Sequence, residues 1–83
     1  GDFAAQAHQS FKNIEATLLE TGGSLRDLVT VTVYLIDARY GDQFIDIRRQ
    51  YFEDFPASAM ITVSGFAQPE MMVEIQGIAV FDN

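Results

Sequence analysis

The chain has 83 residues, of which 48% are hydrophobic and 20% charged, and none is cysteine. This length allows one domain or part of one, and the lack of cysteine excludes a disulfide framework or a thiolate metal site. The formal net charge of −7 argues against binding to nucleic acid or to an anionic membrane surface. No apolar run approaches the roughly 20 residues that span a bilayer, and no secretory leader opens the chain, so we expect a soluble cytoplasmic protein.

The first predicted element is an amphipathic helix from Phe3 to Glu20, where apolar residues recur at steps of three and four. Thr21 to Gly23 ends it, because glycine accepts the left-handed backbone found at many helix ends. The β-branched run from Leu28 to Ile36 predicts a strand. Since neither face of this strand carries a charge, we expect helices on one face and a second, largely dry contact on the other.

A second helix is predicted from about Asp42 to Phe52, followed by Phe55-Pro56, because the residue before proline disfavours helical backbone. The runs Ala59 to Val63 and Met72 to Phe81 predict two more strands, joined by a connection that contains glycine and proline. The order helix, strand, helix, strand, strand indicates an α+β fold with helices on one face of a mixed sheet.

We therefore expect residues 1–83 to form a single domain. A sheet of three strands under two helices exposes an edge and an apolar face, which proteins cover with further strands or by oligomerisation.

Four blocks of the sequence resemble the Rid family of reactive intermediate deaminases, the YjgF-like proteins, in the family's order and spacing. They are the helix opening at 3–14, the helix exit and strand at 22–37, the segment at 51–57 that ends in Phe55-Pro56-Ala57, and the closing strand at 73–80, which begins Val73-Glu74-Ile75. Each block alone is weak, but together they cover nearly the whole chain.

The resemblance implies a fold like that of chorismate mutase, with a sheet backed by two helices and assembled into a homotrimeric barrel. It implies that small-molecule ligands bind in clefts between the subunits. It also implies that the family's first strands precede Gly1, and this sequence lacks them. Either they lie upstream of it or the protein has lost them, and we favour the first, since a domain that starts at its first helix would have an incomplete sheet.

Family deaminases hydrolyse reactive enamine or imine acids, and the resemblance implies two site residues. Glu74 stands at the position of a glutamate that helps to position water, and it is our candidate catalytic residue. The family's P-A-R reads Pro56-Ala57-Ser58, so Ser58 replaces the arginine that binds the substrate carboxylate. A hydroxyl cannot supply the bidentate, permanently charged contact of a guanidinium. Loss of imine deaminase activity is therefore expected, and Ile45 at a position where many active members have asparagine points the same way.

Each candidate also has a purely structural interpretation. Glu74 would cost several kcal/mol to bury unpaired, so it faces a wet cleft, has a partner or lies on a solvated strand face. Ser58 either donates a hydrogen bond to a ligand or is a small residue at a strand entrance.

His8 is the only histidine, which excludes a multi-histidine metal site within one subunit, and we expect it on the surface. Arg48 and Arg49 are expected on a solvated helix face, paired with nearby acids. We predict no metal and no cofactor.

Two functions remain open. The first is an enzyme, a deaminase or hydrolase of enamine, imine or aminomuconate-like metabolites, in which Glu74 orients water. The second is a trimeric protein that binds a small metabolite, or acts as a regulator, without turnover, and Ser58 favours it. Some relatives are described as endoribonucleases, but the acidity of the chain makes this the weakest interpretation.

Overall fold

The computed structural model describes residues 2–81, which form two α-helices and three β-strands. In chain order these are α1 (Phe3–Glu20), β1 (Leu28–Leu35), α2 (Gly41–Arg48), β2 (Ala57–Thr62) and β3 (Val73–Ala79). Short 3-10 turns at Leu25–Asp27 and Ala38–Tyr40 flank β1. The predicted α+β class and the predicted order of elements are confirmed.

Local hydrogen bonds set the limits of α1. The Asp2 carboxylate accepts from the Ala5 N–H at 3.2 Å and caps the first turn. At the other end Gly22 adopts a left-handed φ of 87°, and the Gly23 N–H returns to the Leu18 carbonyl at 2.8 Å. A Cβ at Gly23 would collide with the ring of Phe81, so the residue also allows the chain after β3 to lie against the helix exit.

The three strands form one mixed sheet in the order β2-β1-β3, with β1 parallel to β2 and antiparallel to β3. Side chains alternate between the two faces. On β1, Val31, Val33 and Leu35 are each no more than 2% exposed, because α1 and α2 cover that side. We call the other side the open face. It consists of Thr30, Thr32 and Tyr34 with their register partners Ala57, Ala59 and Ile61 on β2 and Ile78, Gln76 and Glu74 on β3.

The core lies between the helices and the covered face of the sheet. Phe11 of α1 and Phe44 of α2 are almost fully buried, and their ring centroids are 5.5 Å apart. Tyr51 stacks on Phe11 from the turn after α2, at 4.6 Å. The other buried apolar residues are Phe3, Ala7, Leu18, Leu25, Leu28, Val31, Val33, Leu35, Ile47 and Val73. Within residues 2–81 no helix is both long enough and apolar enough to cross a membrane.

Some predicted bounds were wrong. The helix α2 ends at Arg48 and not near Phe52, because the Gln50 and Tyr51 N–H groups donate to carbonyls three residues back and tighten the chain into turns. The aromatic face that suggested a longer helix remains, since Tyr51 still packs on the core. β2 begins earlier than predicted, at Ala57, where it pairs with Thr30. The strands β1 and β3 end one and two residues earlier than predicted.

Candidate functional site

Glu74 projects from β3 onto the open face, where its carboxylate is exposed to solvent. Its neighbour Val73 is 2% exposed on the opposite side of the strand, so alternation along β3 turns the carboxylate away from the core. The possibility that Glu74 is buried without a partner in this chain is therefore excluded. Whether it faces a cleft depends on what covers the open face.

Two polar side chains lie beside Glu74. Tyr34 is its register partner on β1, and Gln76 is the next residue of β3 on the same face. The Tyr34 hydroxyl donates to Gln76 Oε1 at 3.2 Å, which joins the two strands across the face. A carboxylate, a phenol and an amide thus form a small polar cluster that offers both donors and acceptors to a ligand. We missed Tyr34 and Gln76 in the sequence, although the alternation along the two strands could have indicated them.

A shallow depression of about 430 Å³ adjoins this cluster on the open face. It is lined by Thr30, Thr32, Gln76, Gly77 and Ile78. Its wall combines hydroxyl, amide and apolar groups, as small-molecule sites do. In a single chain it is open to solvent, so a second surface would be needed to enclose a ligand.

Ser58 lies elsewhere on the sheet. It pairs with Val31, so its side chain is directed to the helix side, but it is exposed because β2 is an edge strand that the helices leave uncovered. Ser58 and Glu74 are three positions apart along β1 and on its two flanking strands, which separates them by about 14 Å at standard strand spacings. They also face opposite sides of the sheet. One small molecule therefore cannot contact both within a single chain.

His8 is only partly exposed, and it has a side-chain partner that the sequence did not indicate. The ring is partly buried, and Nδ1 lies 2.6 Å from the Tyr51 hydroxyl. Tyr51 reaches this position because it stacks on Phe11, one helical turn after His8. Burial raises the pKa of the Tyr51 phenol, and the negative charge of Glu15 raises it further.

The two adjacent arginines behave differently. Arg49 pairs with Asp46 at 3.0 Å on an exposed helix face, as predicted. The Arg48 guanidinium instead lies 4.3 Å above the centre of the Phe55 ring, a cation–π contact that the sequence did not indicate. Just before α2, side-chain and backbone hydrogen bonds from Arg39 lower the pKa of the Asp37 carboxyl. Among residues 2–81, no cluster of three or more histidine, aspartate or glutamate side chains has an arrangement that could hold a metal ion.

Comparison with known proteins identifies the family to which a chain with this fold and this open face belongs. The sequence model of the endoribonuclease L-PSP family matches residues 1–81. The chain therefore belongs to this family, which includes the Rid or YjgF-like proteins, and the resemblance noted in the sequence is confirmed.

Individual relatives agree. A RutC family protein of Pyrococcus abyssi is 36% identical over 80 residues, and the 3-aminoacrylate deaminase RutC of Acinetobacter baylyi is 31% identical over 80. The matches cover 95% of this chain in both cases but 62% and 63% of the relatives.

Among solved structures, RidA from an Antarctic Psychrobacter species superimposes with a TM-score of 0.92 at 33% identity, covering 96% of this chain and 65% of that one. YyfA of Yersinia pestis, a Rid-family protein, gives 0.90 at 34% identity, covering 94% and 63%. The chain thus spans less than two thirds of the length of each of these four proteins.

Proposed function

We propose that this protein is a deaminase-type hydrolase of small enamine or imine acids, which it binds between subunits of a homotrimer. The observation that carries the proposal is Glu74, an exposed carboxylate beside Tyr34 and Gln76 on a sheet face that no part of the described chain covers. The 3-aminoacrylate deaminase at 31% identity gives the substrate class, and because Glu74 is retained we place this function ahead of the loss of activity expected from Ser58. A cytoplasmic location belongs to the same proposal.

In the proposed reaction, water adds to the carbon of a protonated imine and ammonia leaves as ammonium, so that R–C(=NH₂⁺)–COO⁻ and H₂O give R–CO–COO⁻ and NH₄⁺. The Glu74 carboxylate accepts a proton from the attacking water, and this proton is returned to the leaving nitrogen. A positioned general base of this kind contributes typically 10²- to 10⁴-fold to a rate. An enamine acid enters the same route after it tautomerises to the imine.

The homotrimer in the proposal is supported by the composition of the open face. Ile78 is 62% exposed and Ile61 is 44% exposed, and both lie on this face. Large apolar side chains that are exposed on an uncovered sheet face favour an interaction site there. Since Ser58 and Glu74 lie on opposite sides of one sheet, a ligand could contact both positions only if they come from two subunits.

The direct test is hydrolysis of a 2-imino acid generated in situ by an amino acid oxidase, measured as the accelerated loss of the imine over the spontaneous rate. We expect acceleration by the protein and a loss of about 10²-fold or more in Glu74→Gln, which keeps the size of the side chain but not its basicity. Glu20→Gln, an exposed change at the end of α1, is the matched control and should retain full activity. Full activity in Glu74→Gln, or no acceleration by the unchanged protein, would refute the proposal.

A second candidate is binding without turnover, and Ser58 favours it. Without a guanidinium at this position the protein lacks the strongest available contact to a substrate carboxylate. In that case the same cleft would hold a stable small metabolite. Two results together would identify this function. The protein would broaden the NMR lines of a 2-oxo acid, and Glu74→Gln would abolish the broadening. The unchanged protein would not accelerate imine hydrolysis.

A further inference from the structure

A single side chain of α1 holds the connection between β2 and β3. Gln6 Nε2 donates to the Glu70 carbonyl at 3.0 Å, and Gln6 Oε1 accepts from the Met72 N–H at 2.8 Å. One amide thus satisfies a donor and an acceptor of the connection at the same time, as a neighbouring backbone would. Three hydrogen bonds join residues 64–72 to the rest of the described chain, and Gln6 makes two of them.

The third of these bonds also involves Met72. Its carbonyl accepts from the Ile36 N–H at 3.0 Å, just beyond the last residue pair of β1 and β3. Met72 is therefore held on one side by the sheet and on the other by Gln6. The support is firm, because the neighbours of Gln6 in α1, Phe3 and Ala7, are 4% and 0% exposed and fix the helix on the core.

Glu74 follows Met72 by two residues, so the way in which the chain enters β3 determines where the carboxylate lies. Strand side chains alternate, and a slip of one residue would turn Glu74 towards the core and Val73 outwards. We propose that Gln6 is a positioning residue, which fixes the entry of β3 through Met72 and so presents Glu74 on the open face beside Tyr34. The importance of this for turnover rests on the function proposed for Glu74.

The variant that tests the inference is Gln6→Met, which keeps the length of the side chain and removes both hydrogen bonds. The matched control is Gln9→Met on the same helix, since the Gln9 amide bonds only to Asn13 of its own helix, at 2.7 Å. A third variant, Gln6→Glu, retains an oxygen that can accept from the Met72 N–H but loses the donor to Glu70.

The first readout does not depend on activity. In ¹⁵N-labelled protein we expect Gln6→Met to raise the exchange rate of the Met72 amide by about tenfold or more and to shift the Glu74 amide resonance. Gln9→Met should leave both unchanged, and Gln6→Glu should recover most of the Met72 protection. If Gln6→Met fails to fold, Gln6→Glu still decides the matter. We expect this variant to lose the hydrogen bond to the Glu70 carbonyl and to keep the protection of the Met72 amide. Unaltered Met72 exchange and Glu74 shift in Gln6→Met would overturn the inference, whether or not the protein is an enzyme.

The second readout is turnover of the imine. Gln6→Met should lower kcat by about tenfold or more with KM changed by less than about twofold, since a small misplacement of a catalytic group costs mainly the chemical step. If Glu74→Gln is inactive while Gln6→Met keeps the full kcat, the positioning role is refuted. If Glu74→Gln is fully active, the proposed function fails, and Met72 exchange alone then decides whether Gln6 holds β3.

Discussion

Thr30 and Ile78 lie opposite each other on β1 and β3, and the Ile78 side chain is directed into solvent together with the rest of the open face. Ile61 is exposed on the same face beside Tyr34, so large apolar side chains face water at both ends of the open face, which is unfavourable. Since α1 and α2 both pack on the other side of the sheet, no described part of the same chain covers it.

The first prediction concerns assembly. The double change Ile61→Glu and Ile78→Glu should dissociate an oligomer that buries the open face, because an unpaired carboxylate is costly in a dry contact. We expect the dissociation constant to rise by about 100-fold or more, corresponding to about 3 kcal/mol. Sedimentation velocity over a range of concentrations measures it.

Leu19→Glu provides the control for this experiment. Leu19 is 64% exposed, like Ile78, but it lies on α1 and away from the open face. This variant should sediment like the unchanged protein. A monomeric unchanged protein, or equal dissociation by both variants, would show that the open face is not the contact between copies.

The second prediction concerns the missing guanidinium. Ser58→Arg should lower KM for a 2-imino acid by about tenfold or more if the rest of the cleft is retained, because arginine binds a carboxylate with two parallel hydrogen bonds. Ser58→Lys adds the same charge without the planar donor pair and should gain less. Steady-state kinetics of imine hydrolysis compares the three proteins. If Ser58→Arg gains nothing over Ser58→Lys, the pocket has been remodelled for a different ligand.

The third prediction concerns the aromatic core. Phe44 is 0% exposed and stacks on Phe11, so Phe44→Ala removes buried surface and leaves a cavity between the two helices. We expect the free energy of unfolding to fall by about 3–5 kcal/mol. Phe44→Leu, which fills most of the space, should lose much less. Urea denaturation monitored by circular dichroism gives both values, and a loss of under 1 kcal/mol in Phe44→Ala would contradict this packing.

The fourth prediction follows from the raised pKa of Tyr51. Below the unfolded tyrosine pKa of about 10 the phenol is protonated in both states, and its contribution to stability is fully present. As the pH rises further, the unfolded chain releases the proton first, so stability falls until the pH has passed the folded pKa. Tyr51→Phe should therefore show a weaker alkaline loss of stability, although it also loses the contact with His8 at neutral pH.

The measurement is the free energy of unfolding from urea titrations between about pH 8 and about pH 11. Thr17→Val is the control, since it removes an exposed hydroxyl that bonds to the Asn13 carbonyl and involves no titratable group. It should keep the alkaline slope of the unchanged protein. Parallel pH dependences of the unchanged protein and Tyr51→Phe would rule out a contribution from Tyr51.

Short-range patterns in the sequence predicted the elements well where the local signals agree. α1 was predicted with the correct ends because its apolar period and the glycines after it agree. α2 was predicted too long, because Tyr51 and Phe52 continue its apolar pattern. In the structure both residues follow the helix and still pack against the same core. A pattern of burial does not distinguish a helix from a turn that faces the same core.

The sequence by itself determined the family, the α+β order and the candidate Glu74, because periodicity, turn residues and local motifs are properties of neighbouring positions. Only the tertiary structure decided that Ser58 and Glu74 face opposite sides of the sheet, that His8 meets Tyr51, and that Gln6 holds Met72. These relationships join residues 16, 43 and 66 positions apart. They depend on strand register and helix docking, which are set by the summed packing of the whole domain and leave no periodic signal in any one segment.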